Sequence, residues 1–136
     1  FAYGSNLHHA QMKRRCPKCK YIKKHILHGY QLTFRSKYGA CDIEKKSGKK
    51  VYGALYIISK CAERRLDVYE EYPTLYKKIY FKHKGHKVMT YTMVRKTKLV
   101  PPTERYLNIV KQGYKDCKIN IKSLKVALIP VTHLQR

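Results

Sequence analysis

Phe1-Ala2-Tyr3-Gly4-Ser5-Asn6-Leu7 is the stretch on which the reading of the chain turns. Phe1, Ala2 and Tyr3 read as the end of a strand, and Gly4-Ser5-Asn6 as a tight turn into a helix. Such a turn points backbone N–H groups outward. Glycine lets a ligand approach the main chain, and unpaired amides at a helix start suit a carboxylate or an oxyanion. Taken alone, the same residues also describe an ordinary strand-to-helix connection with Asn6 as the N-cap.

Outward from this stretch, residues 8–15 read as a short helix, with Met12 inward, Lys13-Arg14-Arg15 outward, and Pro17 ending it. Residues 26–34 alternate with period two and predict a strand. Residues 36–50 hold Gly39, Asp42, Ser47 and Gly48 and predict a turn-rich loop, with a short strand at 40–43. Residues 51–58 are the most apolar run, a central strand covered on both faces, in which Gly53 marks a close backbone approach. Ser59 caps a helix over 60–69 whose Ala62, Leu66 and Tyr69 share one face. Strands over 74–82 and 86–94 meet at Lys84-Gly85. A helix over 103–111 is closed by Gly113 as its C-terminal glycine, and a last helix over 119–128 stops before Pro130. Strands interleaved with helices, without repeats or low-complexity linkers, predict a single α+β domain over residues 1–136.

Composition narrows the function classes. With 136 residues, 43% of them hydrophobic, the chain is long enough to build a core without staples. No run approaches a membrane span and no secretory signal is visible. The 5 cysteines are odd in number and lack a framework spacing, which points to a reducing cytoplasm. Lys and Arg number 31 against 8 Asp and Glu, a formal net charge of +23, which attracts anions and brings nucleic acid into consideration as a partner. The lysines fall as Lys23-Lys24, Lys45-Lys46, Lys49-Lys50 and Lys77-Lys78 among apolar positions, a pattern of solvated faces rather than of one binding stripe. No nucleic-acid-binding signature accompanies them. Cys16 and Cys19 with His25 and His28 have too short a gap for a zinc finger, so no metal is expected. No phosphate loop, serine elbow or dinucleotide fingerprint is present.

Only 8 carboxylates are available for acid–base work. Asp42 and Glu44 fall in the turn-rich loop, Glu63 on an exposed helical turn, Glu104 in the first turn of a helix, and Asp116 at a cap. Asp67 and the Glu70-Glu71 pair remain. Glu70 stands between Tyr69 and Tyr72, and a carboxylate desolvated among rings gains a raised pKa suited to a base that later acts as an acid.

Tyr3-Gly4-Ser5-Asn6-Leu7, Val51-Tyr52-Gly53-Ala54-Leu55-Tyr56, Leu66-Asp67-Val68-Tyr69-Glu70 with Pro73 and Tyr76, Pro102 with Tyr106, and Gly113-Tyr114 occur in this order. Together they resemble the γ-glutamylcyclotransferase-like family, which includes the γ-glutamylamine cyclotransferases and the AIG2-like proteins. The resemblance runs from Phe1 to about Tyr114. It implies a small mixed sheet curled into a β-barrel-like shape with flanking helices. It also implies an enzyme that cyclises a γ-glutamyl amine or γ-glutamyl amino acid to 5-oxoproline, releasing the free amine and needing no metal or redox cofactor. The family's Leu-Asp-x-x-Glu motif places its catalytic glutamate at Glu70. Tyr3, Gly4, Ser5, Asn6 and Leu7 match the family's substrate-binding loop, and Tyr76 and Tyr106 match tyrosines that line its pocket; without the resemblance, both tyrosines would read as core. The family usually carries glycine after the glutamate, where this chain has Glu71. A positive φ there would strain a side-chain-bearing residue, and a second carboxylate would raise the proton affinity of both. Asn6 and the spacing of Glu70, Pro73 and Tyr76 lean toward the γ-glutamylamine branch. The expected partner is a small γ-glutamyl substrate, with no membrane. The rival readings are a non-catalytic AIG2-like domain that binds a small ligand, and a basic nucleic-acid-binding protein reusing the fold.

Overall fold

The computed structural model describes residues 1–134. Ala2 forms an antiparallel bridge with Ala54, through Ala2 N–H to Ala54 O at 2.8 Å and Ala54 N–H to Ala2 O at 2.9 Å, beside Gly53 as its close approach required. A 3₁₀ turn, Ser5–Leu7, then leads into α1 (His9–Arg15). The N-cap of α1 is His8, whose ring accepts from Gln11 N–H at 3.2 Å. Asn6, read as the cap, instead turns its side chain to Arg15.

The largest element is an antiparallel ladder of β1 (Lys20–Arg35) and β2 (Ala40–Ile57). The loop expected over 36–50 shrinks to the turn at 36–39, where Ser36 and Gly39 adopt φ of 70° and 63°. Ser47 and Gly48 serve a different purpose: Tyr30 pairs with Lys45 and His28 with Lys50, so residues 46–49 are an excursion within one continuous strand. Turn formers in a bulge and turn formers at a strand end look alike in sequence. Strand β1 also starts earlier than its alternation suggested, because Lys20 already pairs with Ile57.

Helix α2 (Lys60–Tyr69) begins where Ser59 Oγ accepts from Ala62 N–H at 3.0 Å, and buries Ala62 and Leu66. A second antiparallel hairpin joins β3 (Tyr76–His83) to β4 (His86–Met93) through Lys84 and Gly85. Helix α3 (Glu104–Asp116) is capped by Thr103 and runs past Gly113, the expected stop. Gly113 is there for packing: a Cβ on it would lie 2.6 Å from Leu7 Cβ and 2.7 Å from His8 N, so the helix lies flush against the turn after Gly4. The helix ends at Lys118 (φ 56°), with Ile119 N–H reaching back to Tyr114 O at 2.8 Å. Helix α4 (Lys122–Leu128) follows. Antiparallel ladders with flanking helices fulfil the α+β expectation.

The core has two parts. One gathers Leu7, Phe34, Ile43, Val51, Val110, Tyr114 and Leu124; the other gathers Met12, Cys16, Leu66, Tyr76, Tyr91 and Met93. Each large apolar side chain so buried is worth about 2 kcal/mol. Asp42, expected in a loop, is fully buried on β2. It accepts from Met93 N–H and Lys96 Nζ, both at 2.7 Å, and from Thr92 Oγ1 at 3.1 Å, tying β2 to β4 and the segment beyond it.

The Cys16 thiol packs on the Ala62 carbonyl, and His25 stacks on Phe81 with its edge toward His83. Among the described residues, no group of three or more His, Cys, Asp or Glu is arranged to hold a metal ion. No helix among them is long and apolar enough to cross a membrane.

Candidate active site

A cavity of about 470 Å³ opens where the first stretch of the chain, β2, the end of α2, β3 and α3 converge. Tyr3, Gly4, Ser5, Asn6, Glu70, Tyr76 and Tyr106 line it, together with Cys41, Glu71 and Arg105. Leu7 does not: its side chain is wholly buried in the core and its N–H donates to Gly4 O at 3.0 Å.

The turn lies against β2 because Gly4 has no side chain; a Cβ there would sit 2.9 Å from Cys41 Cβ and 3.3 Å from the Tyr106 hydroxyl. The acceptors made by the turn are used by Leu7 and His8, whose N–H groups bond to Gly4 O and Ser5 O. The N–H groups of Ser5 and Asn6, at the start of the turn, have no acceptor among the described residues.

Glu70 closes α2. Glu71 N–H bonds to Val68 O at 3.1 Å and Tyr72 N–H to Asp67 O at 2.9 Å, and Glu71 takes φ 54° between them. This is the left-handed C-cap arrangement in which glycine is the favoured residue. It accounts for the glycine that the family places here and for the strain that the sequence implied for Glu71. Glu71→Gly is expected to raise the unfolding free energy by about 0.5–1 kcal/mol, the relief of left-handed strain less the added freedom of the unfolded chain, as read by urea titration.

Asp67, one turn before Glu70, accepts from the Tyr91 hydroxyl at 2.6 Å and from Lys78 Nζ at 2.9 Å. These bonds pin the end of α2 to β3 and β4 and explain why the motif carries an aspartate. The half-buried Glu70 carboxylate has no hydrogen-bond partner among the described residues, and its pKa is pushed up to about 7 by desolvation, against the opposing pull of the Arg15 charge.

The tyrosine hydroxyls are engaged with the main chain. Tyr3 donates to Tyr91 O and Tyr76 donates to Cys41 O, each at 2.7 Å. Tyr106 differs: its oxygen accepts from Cys41 N–H at 2.9 Å, and its hydroxyl also bonds to the Cys41 side chain. Cys41 is buried, and burial pushes its thiol up to about 12, so it is a neutral wall of the cavity.

Arg15 escaped the sequence reading, which placed it with outward-facing Lys13 and Arg14. It reaches Asn6 Oδ1 at 2.6 Å and Ser5 Oγ at 3.2 Å, and bonds to Gln11 and the Tyr69 hydroxyl. The available signal was Gln11 one helical turn before an arginine rather than a lysine, since the guanidinium fork serves several acceptors at once.

The solved structures with this architecture include an uncharacterised protein from Homo sapiens, 23% identical, with a TM-score of 0.79 over 100% of this chain and 89% of that one. A structure titled gamma-glutamyl cyclotransferase is 22% identical, with a TM-score of 0.79 over 100% of this chain and 90% of that one. An AIG2-like protein from Mus musculus, 16% identical, matches 79% of this chain and 80% of its own with a TM-score of 0.56. No curated protein sequence matches. The family described as gamma-glutamyl cyclotransferase, AIG2-like, matches residues 1–114, from the N-terminal turn through α2 and the end of β4 to Tyr114 in α3, and the chain belongs to that family.

Proposed function

We propose that the protein is a γ-glutamyl cyclotransferase that converts a γ-glutamyl amine or γ-glutamyl amino acid to 5-oxoproline and the free amine. The observation that carries this reading is an unpartnered, desolvated Glu70 sharing one cavity with the unclaimed amides of Ser5 and Asn6. In the reaction the substrate's α-nitrogen attacks its own γ-carbonyl. A new C–N bond closes the five-membered ring as the original amide C–N bond breaks. Both reacting groups belong to one molecule, so holding them in a near-attack arrangement supplies much of the acceleration.

Glu70 takes a proton from the α-ammonium, freeing the lone pair, and returns it to the departing nitrogen. A carboxylate with a pKa of about 7 is matched to both halves of that exchange. The amides of Ser5 and Asn6 hold the substrate's α-carboxylate or the oxyanion that develops on the γ-carbonyl, where each well-placed donor contributes about 3 kcal/mol. Tyr106, bonded to Cys41, shapes the α3 side of the cavity.

The test is 5-oxoproline release from a panel of γ-glutamyl amino acids and γ-glutamyl-ε-lysine. Turnover of at least one is expected. Its kcat/KM should fall about tenfold per pH unit below pH 7 as the base is protonated. A folded protein that turns over none of them is a binding protein instead.

A further inference from the structure

Arg15 stands behind the cavity lining rather than in it, yet it touches both of the parts that the proposed reaction needs. One guanidinium nitrogen donates to Ser5 Oγ and Asn6 Oδ1, the side chains of the two residues with unclaimed amides. The other donates to Gln11 on its own helix and to the hydroxyl of Tyr69, the residue immediately before Glu70. The guanidinium also lies over the Tyr69 ring, with Cζ 3.5 Å from its centroid. The contacts therefore span α1, the 3₁₀ turn and the end of α2, which meet nowhere else through a single side chain described above.

We propose that Arg15 is the positioning residue that fixes the donor turn and the base relative to one another. This rests on the cyclotransferase reading of the same cavity. A planar fork with five donors suits this position, because a lysine ammonium is a point charge that cannot hold the same set of acceptors.

Electrostatics point the same way. Tyr3 in the first stretch, Cys41 on β2, Tyr76 on β3 and Tyr91 on β4 face the Glu70 region, with Tyr69 and Glu71 beside it and Tyr106 across the cavity; these groups are neutral or acidic, and Asp42, next along β2, is paired with Lys96. Arg105 lines the cavity from α3. The positive charge that lowers the proton affinity of Glu70 is that of Arg15. Without it, desolvation would act on the base unopposed.

The experiment compares Arg15→Met and Arg15→Lys with wild type by NMR titration of the Glu70 side-chain carboxyl, assigned by its loss in Glu70→Gln, and by kcat and KM for the best panel substrate. In Arg15→Met the Glu70 midpoint is expected to rise by about one pH unit. Its kcat/KM should fall on the order of 10²-fold, as misplacing a catalytic constellation does. Arg15→Lys should keep the midpoint near wild type and raise KM by about tenfold, because the charge survives and the fork does not. An unmoved midpoint together with kcat/KM within twofold of wild type in folded Arg15→Met overturns the proposal. If Arg15→Met does not fold, Arg15→Lys decides: a raised KM supports the proposal and a wild-type KM overturns it. If wild type turns over no γ-glutamyl compound, the cyclotransferase reading falls, and the titration midpoint of Arg15→Met alone decides whether Arg15 acts on Glu70.

Discussion

Glu70→Gln is expected to lower kcat/KM for 5-oxoproline release by about 10³-fold, within the range for a lost acid–base group, while the protein remains folded. Glutamine has nearly the same shape but cannot take the ammonium proton and has none of suitable acidity to return. What remains is the binding and orientation supplied by the turn and the tyrosines. Stability should move the other way. The folded protein holds the Glu70 proton more tightly than the unfolded chain, with a pKa of about 7 against 4.5. Stability is therefore lost as pH rises through that window, because the unfolded state is the one that gains by ionising. Glutamine does not titrate, so at pH 8 the variant should exceed wild type by about 1–2 kcal/mol, a figure discounted for the partial exposure of the group. At pH 4 the difference should vanish. Thermal melts at the two pH values check the sign, and a variant that is inactive because it is unfolded would show the reverse.

Asp42→Ala is expected to cost about 3–5 kcal/mol of unfolding free energy, the largest stability loss of any single substitution considered for this chain. The aspartate is completely buried, and its oxygens satisfy Met93 N–H, Thr92 Oγ1 and Lys96 Nζ, with Arg35 Nε 3.9 Å away. Truncation leaves a main-chain donor without a partner inside the protein and Lys96 without its counter-charge, while Arg35 keeps Glu44 at 2.8 Å. Asp42→Asn should recover part of the loss, since an amide oxygen can still accept from Met93 N–H. Asp116→Ala, which removes acceptors for His9 N–H and the exposed Gln112 side chain, should cost nearer 1 kcal/mol. Urea titrations of the three variants rank them, and equal losses at Asp42 and Asp116 would refute the assignment of Asp42 as a buried hub.

Much of the site is legible in the sequence because its pieces are local. The Ser59 cap, the buried Ala62 and Leu66 of α2 and the Glu70 that closes it lie within a dozen residues, and each obeys a short-range rule; Tyr69, read onto the same face, is exposed instead, under the Arg15 guanidinium. The Gly4 turn is equally local, and its residues up to Asn6 do line the cavity. What was missed depends on partners far along the chain. Gly113 looks like a helix stop because glycine usually is one; its purpose is set by Leu7, which packs against it. Asp42 looks like a turn residue until Met93 and Lys96 are placed beside it. Leu7 belongs to the loop by position and to the core by burial. Arg15 reads as one more cation in a chain of net charge +23, and only the fold distinguishes it from the rest.

The long β1–β2 hairpin closes through a turn of a few residues, so little chain entropy opposes its formation. The cavity is built the opposite way, from residues as distant as Tyr3, Glu70 and Tyr106, and the first of these is tethered to the sheet by the short Ala2 bridge. The same stretch is also held by Tyr3, which donates to Tyr91 O, and by Leu7 inside the core, so the donor turn opens only together with the packing around it. A substrate held between the turn and α3 would clasp that turn to the helix across the cavity. The occupied protein would then resist unfolding, and the proteolysis that follows it, more strongly the tighter it binds.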